Sequence, residues 1–481
     1  MNYPDIIHHG AGEGVTGSCH QLQMDAEHGL LVDCGLFQGR DADLKERFGE
    51  SASAIDFSLA TIKMLIVTHV HADHVGRIPQ LLAAGFKGPI ICSEPSAKLL
   101  PLVLEDAFRL EQGRDERQIE RCLTQVMERV VAVPFDTWFS VVNTPALNAR
   151  VRLQRAGHIL GSAYVEIDVE YPMEQCTKRV VFSGDLGASH TPILPSPKSP
   201  EQADILVLES TYGDRVHEDR ATRQGRLEAV IDRALADHGT VLIPAFSLGR
   251  TQELLYEIED ILHRKSLSCS VEGSDGADGS LPVNWPQLPI ILDSPLASRL
   301  TQVYQSFDDI WDDDARARQE SGRQPLRFEQ LITIDTAAQH HQTVNYLAST
   351  GRPAIVIAGH GMCAGGRIVN YLKAMLGDPR HNVVFVGYQA KGTPGAAIQQ
   401  HGPKGGYVEL DRERYKIKAG IETIGGYSAH ADQRGLVDFV AGMPVWPSEI
   451  KLVHGEPSAK RRLGQLLEGK YSTKRKAVII D

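Results

Sequence analysis

His69, His71, Asp73 and His74 stand together in the run Thr68–His74, and all four carry side chains that ligate metals. The run follows Lys63–Thr68, an apolar stretch that reads as a buried strand, and precedes Gly76–Gly85, which reads as a helix. One strand-to-helix turn therefore carries all four donors. Imidazole nitrogen and carboxylate oxygen together suit zinc, and a catalytic zinc takes about three protein ligands and keeps one position open. Four donors exceed that need and suit two adjacent metals, with a water between them as nucleophile. The bland alternative is a histidine cluster on a surface loop. The strand, the spacing and the donors further along the chain all weigh against it.

Those later donors recur in one geometric role. His158 precedes the glycine turn at Gly161 and a new strand, and Asp185 ends the apolar run Arg179–Phe182. His430 lies in Gly425–Asp432, at the start of an expected helix. Each sits just past a regular element, where functional side chains are held on a rigid frame. Taken singly, a lone histidine is more often a satisfied core group.

Together these residues resemble the metallo-β-lactamase superfamily, whose signature matches His69-x-His71-x-Asp73-His74 with later ligands at His158 and Asp185. Within it the chain resembles the β-CASP ribonucleases. The matching stretches are Leu208–Tyr212, Pro244–Leu255, Gly359–Arg367, Ser428–Asp432 and Val453–Glu456. A histidine at the place of His430 looks like the RNA-processing branch, related to the mRNA 3′-end cleavage endonuclease. The resemblance implies an αββα sandwich with an inserted parallel-sheet α/β domain. It implies two Zn2+ per chain, with His69, His71 and His158 on the first and Asp73, His74 and His430 on the second, bridged by Asp185. Asp33 would orient the metal-site histidines, and Glu209 would support the second metal's histidine and the leaving-group side. The implied reaction is hydrolysis of single-stranded RNA by a metal-activated water, giving a 5′-phosphate and a 3′-hydroxyl. Asp73, His74, Asp185, Glu209 and His430 are the residues expected to carry it. Gly361, Gly365, Gly366 and Arg367, with Ser428 and His454, are expected to contact phosphate, since backbone N–H groups ahead of a helix can cradle an anion. The family also places an acid or histidine where Ala397 falls in this register, an absence that would leave Glu209 without its usual partner.

The elements that must position these groups divide the chain. Residues 1–210 read as strands, then the helices Pro95–Gln112 and Glu116–Val130, then strands again. Residues 211–390 alternate near-continuous apolar strands with helices such as Thr251–His263 and Gly366–Leu376, the pattern of a parallel sheet. The last expected ligand follows this block, so the second domain is inserted into the first, which residues 391–481 complete. Residues 265–284, rich in Ser, Gly and Asp, read as a mobile surface loop.

Composition narrows the function classes. No apolar stretch is long enough to span a bilayer, and Met1–Asp5 shows no signal-peptide pattern, so a cytoplasmic protein without membrane association is expected. Seven cysteines without a CxxC pair read as reduced, mostly buried thiols. A net charge of −11 argues against loose, charge-driven nucleic-acid binding. Divalent cations and local arginines can still hold phosphates within an acidic protein. Single-stranded RNA is the expected partner, and the sequence leaves a homodimer open. Two other functions stand beside the ribonuclease: a hydrolase of small esters or thioesters, and a zinc-binding RNA-processing partner with weak catalysis. The large inserted domain disfavours the first, because a small substrate needs no such cover. Gly12–Gly17 matches the dinucleotide fingerprint GxGxxG, but the stretch after it reads as a strand where a helix is required. His8–His9 and His340–His341 read as structural or exposed pairs. Arg109, Arg114, Arg117, Arg121 and Arg129, interleaved with glutamates, read as a solvated face.

Overall fold

The computed structural model describes residues 3–47, 51–111, 115–218, 220–271, 285–474 and 478–480. The chain forms two compact units, one of Met1–Val216 with Ala429–Asp481 and one of His217–Ser428.

The first unit is a sandwich of two sheets. In one, Asp5–Gly10, Cys19–Gln23, Gly29–Val32, Ile62–Ile66, Ile90–Ser93 and Val130–Val133 lie side by side in that order. The other runs Ile479–Ile480, Glu449–Val453, Ile205–Glu209, Cys176–Phe182, Ala163–Tyr171, Asn148–Arg155 and Trp138–Asn143. Leu22, Leu30 and Ile66 from the first sheet meet Val151, Val165 and Phe182 from the second in one buried core. The outer face of the second sheet is covered by Gln433–Ala441 and Pro457–Thr473, whose Leu436, Phe439, Leu463 and Leu467 pack on Leu206 and Leu208. Glu94–Glu111 and Glu116–Met127 are the helices expected from the periodicity, and the latter stops short because Val130 opens a strand.

The centre of the first sheet explains the metal run. Ile62–Ile66 is parallel to both of its neighbours and is buried except for Lys63. A parallel strand buried on both faces reads as an apolar run rather than an alternation. It ends where two short helices, Ala72–Val75 and Ile78–Ala83, begin, so the single helix expected from Gly76 is broken at Gly76 and Arg77. Likewise, Cys19–Gln23 after the GxGxxG match is a strand, which leaves no helix to receive a dinucleotide.

In the second unit Leu331–Thr333, Ile290–Asp293, Ala354–Ala358, Thr240–Pro244, Asn382–Phe385 and Gly420–Thr423 form one parallel sheet. Here the expected boundary moves. A return to the first domain at residue 391 would cut this unit, because Gly420–Thr423 pairs in register with Asn382–Phe385 and the unit runs to Ser428. The helix Arg250–Val271 is longer than expected and takes in the start of the stretch read as a loop, while residues 272–284 lie outside those described. Arg114 lies outside them too.

Candidate metal centre

Every expected metal ligand lies in the first unit, each at the end of a regular element. His69 and His71 follow the strand Ile62–Ile66, and Asp73 and His74 lie in the short helix after it. Asp185 follows Cys176–Phe182, and Glu209 is the last residue of the adjacent parallel strand. His158 sits in the turn between Asn148–Arg155 and Ala163–Tyr171. His430 is not in a helix: it forms an isolated antiparallel bridge with Gly187. Ala188 N–H donates to Ala429 O at 3.0 Å, and Ala431 N–H to Leu186 O at 2.7 Å, which fixes the two segments together. Gly187 is required there, since a Cβ would lie 2.1 Å from Gly157 O.

Three groups of donor atoms result. His69, His71, His158 and Asp185 form the first; Asp73, His74 and His454 the second; Asp185, Glu209 and His430 the third. In the first, His69 Nε2 and His158 Nε2 lie 3.1 and 3.2 Å from His71 Nδ1, and Asp185 Oδ2 lies 3.5 and 3.7 Å from those Nε2 atoms. Ligands about 2.0–2.1 Å from a tetrahedral zinc stand about 3.3 Å apart, so these residues fit the ion. Burial pushes the His69 and His158 pKa values well down and His71 to about 4, so the lone pairs needed for ligation are free.

The second group is joined to the first through Asp185. Its Oδ1 lies 3.3 Å from His74 Nε2 and 3.5 Å from His454 Nε2, and Asp73 Oδ2 is 3.9 Å from each histidine. Both His74 Nε2 and Asp185 Oδ1 are buried and make no well-aligned hydrogen bond. Buried polar atoms are normally satisfied, so this pair fits a cation seated between them. Asp33 sets the ring pose: its Oδ2 accepts from His74 Nδ1 at 2.7 Å, and its Oδ1 accepts from Thr68 N–H at 2.8 Å. With Nδ1 bearing the proton, Nε2 carries the lone pair.

Two residues are grouped differently from the expectation. His454, expected at phosphate, brings its donor together with Asp73 and His74, and His430, expected on the second metal, faces Glu209 with its Nδ1 3.8 Å from Asp185 Oδ2. The reason is strand order. Glu449–Val453 is parallel to Ile205–Glu209, which brings the residue after Val453 to the same end of the sheet as Asp185. Within the first unit the Glu209 carboxylate lies 3.4 Å from His430 Nδ1, while Oε1 also accepts from Leu186 N–H at 2.7 Å. Ala397 belongs to the second unit, where it packs against the core. Burial disfavours charge on His430, but the carboxylates of Glu209 and then Asp185 outweigh it and raise its pKa to about 9.

Within the expected phosphate cradle the Arg367 side chain is held internally, and the helix after it is tied back to Gly359. Ile368 N–H donates to Gly359 O at 2.9 Å, and Arg367 binds Asp293 Oδ1 at 2.6 Å and Ile334 O at 2.7 Å. Gly361 backs the Phe246 ring, Gly366 caps the helix Arg367–Met375, and only Gly365 has open space where a side chain would stand. Ser428 does not begin a helix. The next helix starts after Asp432, whose carboxylate caps Gly435 N–H, and Ser428 O accepts from Arg220. His8 and His9 bond His20 and Gln21, and His340 bonds Asp293, so these three hold structure, while His341 is exposed. Sequence reasoning undervalued His454. Its signal was the one used for the other donors, a side chain just past an apolar strand.

An αββα sandwich with clustered histidines and aspartates at its strand ends defines a metallo-hydrolase. Family models agree along the chain: the metallo-beta-lactamase superfamily matches residues 14–231, the Beta-Casp domain 251–398, and the Zn-dependent metallo-hydrolase RNA specificity domain 414–479. The sequence is 33% identical over 465 residues to Ribonuclease TTHA0252 of Thermus thermophilus, covering 96% of this chain and 95% of that one. It is 27% identical over 463 residues to Transcription termination factor FttA of Methanosarcina mazei, covering 94% of this chain and 66% of that one. It is 24% identical over 467 residues to Cleavage and polyadenylation specificity factor 73 of Drosophila melanogaster, covering 96% and 61%. The chain belongs to the β-CASP ribonuclease family of the metallo-β-lactamase superfamily. No helix among the described residues is long and apolar enough to cross a membrane.

Proposed function

We propose that this enzyme hydrolyses phosphodiester bonds of single-stranded RNA in the cytoplasm, using two zinc ions held by this centre. The observation that carries the reading is the pair of donor groups joined by Asp185. His69, His71 and His158 would hold one ion and Asp73, His74 and His454 the other, with Asp185 serving both. Divalent cations there supply Lewis-acid charge against the scissile phosphate and lower the pKa of water.

The chain's own residues supply the rest. His430 is held by Glu209, whose carboxylate favours the protonated ring. Its Nδ1 faces Glu209, which leaves Nε2–H as the donor. As water adds to phosphorus and the bond to the 3′-oxygen breaks, that proton passes to the departing oxygen, giving a 3′-hydroxyl and a 5′-phosphate. Glu209 holds the ring before and after transfer. A binding protein with feeble catalysis would not need this pair. A small-ester hydrolase would not need a second unit with its own six-stranded sheet.

The test is a labelled oligoribonucleotide, single-stranded and annealed, incubated with zinc-loaded enzyme and analysed by mass spectrometry. Fragments with 5′-phosphates from the single strand, formed several-fold faster than from the duplex, are expected. Absence of cleavage, equal rates on the duplex, or a preference for DNA would overturn the reading.

A further inference from the structure

Among the described residues, the exposed phenylalanine and tyrosine side chains all lie in the second unit. Two of them share one end of its sheet. Phe246, 44% exposed, follows the strand Thr240–Pro244, and Tyr388, 62% exposed, follows Asn382–Phe385. A third exposed ring, His360, follows Ala354–Ala358. Thr240–Pro244 is parallel to and paired with both other strands, so three adjacent strands each present a ring just beyond their carboxyl ends. That edge is where open parallel sheets bind ligands.

The rings stand on rigid loops. Thr251 hydroxyl donates to Phe246 O at 2.8 Å, and buried Gln389 donates to Gly361 O at 2.9 Å, tying the second loop to the third. Gly395 N–H donates to Met362 O at 3.1 Å. Met362 N–H donates to His360 Nδ1 at 3.2 Å, which orients that ring and leaves its Nε2 as a donor. A Cβ on Gly361 would fall 2.8 Å from the Phe246 ring, so the glycine backbone supports one side of it. Phe246 and His360 have centroids 6.0 Å apart and planes inclined by 55°, so neither covers the other's face. Exposed Lys391 follows Tyr388 in the same loop and makes no ion pair among the described residues. Fixed aromatic faces left in water beside an uncommitted cation suit a flat ring joined to an anion, and each base of a single strand with its phosphate is such a group. The 6.0 Å between the Phe246 and His360 centroids exceeds the about 3.4 Å rise of stacked bases, so each ring takes its own base.

We propose that Phe246, His360 and Tyr388 form a base-stacking platform for single-stranded RNA, with Lys391 meeting the adjoining phosphate. The inference rests on the reading of the protein as an RNA hydrolase. Binding of a fluorescent oligoadenylate is measured by anisotropy on full-length protein in chelator, so that no cleavage intervenes. Phe246→Ala and Tyr388→Ala should each weaken binding by about 5- to 100-fold, the range for one base–ring stack. Phe246→Leu, which keeps apolar bulk against Gly361, should weaken it nearly as much, and Phe246→Trp should restore it. With wild-type protein, an oligonucleotide bearing abasic residues should bind with a similar loss, and the two losses should not add. Unchanged affinity in both alanine variants, or full affinity for the abasic strand, would overturn the platform. Wild-type protein that binds through these rings yet cleaves no RNA when zinc-loaded would overturn the hydrolase reading instead.

Discussion

Asp33 is 1% exposed and accepts from Thr68 N–H, Thr68 hydroxyl and His74 Nδ1, at 2.8, 2.8 and 2.7 Å. In Asp33→Ala the hydroxyl keeps an outlet, since His69 Nδ1 lies 3.2 Å away. The Thr68 N–H and the His74 N–H do not, and each buried unpaired donor costs about 1–3 kcal/mol. Metal-free protein should therefore lose about 4 kcal/mol, enough to shift a urea midpoint clearly. Asp33→Asn separates folding from metal binding. Its carbonyl can still serve Thr68 N–H, and asparagine tolerates the φ of 63° found here. Its amide, however, presents N–H to His74 Nδ1. The imidazole proton is then driven to Nε2, the atom aimed at Asp185. Loss of such an orienting partner typically costs about 10- to 100-fold in metal affinity. Asp33→Asn should thus unfold within about 2 kcal/mol of wild type while binding its weaker zinc at least tenfold less tightly in competition with a chromophoric chelator. Wild-type zinc affinity in Asp33→Asn would refute the tautomer argument.

Gly187→Ala should preserve the fold of the second unit but displace His430, because the new methyl meets Gly157 O; activity should fall at least tenfold with zinc content kept, and an unchanged turnover number would contradict this. Arg367→Ala should act on stability, since it removes a cation from Asp293, which is fully buried; about 3 kcal/mol lost in denaturant is expected, and a variant of wild-type stability would show that Asp293 is satisfied without it. His8 predicts acid sensitivity. Burial, then Lys451 and Lys460, depress its pKa to about 4, below the 6.5 of the unfolded chain, so the unfolded state binds the extra proton between those values. Its contribution is complete above pH 6.5 and is lost as pH falls toward 4, by about 2 kcal/mol after allowing for partial exposure. His8→Gln should lose correspondingly less stability than wild type between pH 7 and 4.5, and parallel losses would exclude His8 as the source.

Much of this centre was legible in the sequence because its donors end apolar strands. Lys63–Thr68 read as a buried strand since it is central and parallel, and Asp185 was marked by Arg179–Phe182. What failed depended on order in space. Nothing local in Val453–Glu456 says that Glu449–Val453 lies beside Ile205–Glu209, so the place of His454 beside Asp73 and His74 is not legible there. The end of the second unit was missed for the same reason, because Gly420–Thr423 joins its sheet only by pairing with Asn382–Phe385. In the glycine stretch, spacing shows that backbone N–H groups are present, but not that the Arg367 guanidinium is bound to buried Asp293.

The proposed roles of His454 as a ligand and His430 as a proton donor are separated by their metal content. Zinc content per chain should be measured by mass spectrometry on native wild type, His454→Ala and His430→Ala, alongside turnover on one oligoribonucleotide. Wild type should carry two zinc ions and His454→Ala about one. His430→Ala should keep both while turning over about 10²- to 10⁴-fold more slowly, the usual cost of a lost general acid. Two ions in His454→Ala, or a lost ion in His430→Ala, would contradict the assignment.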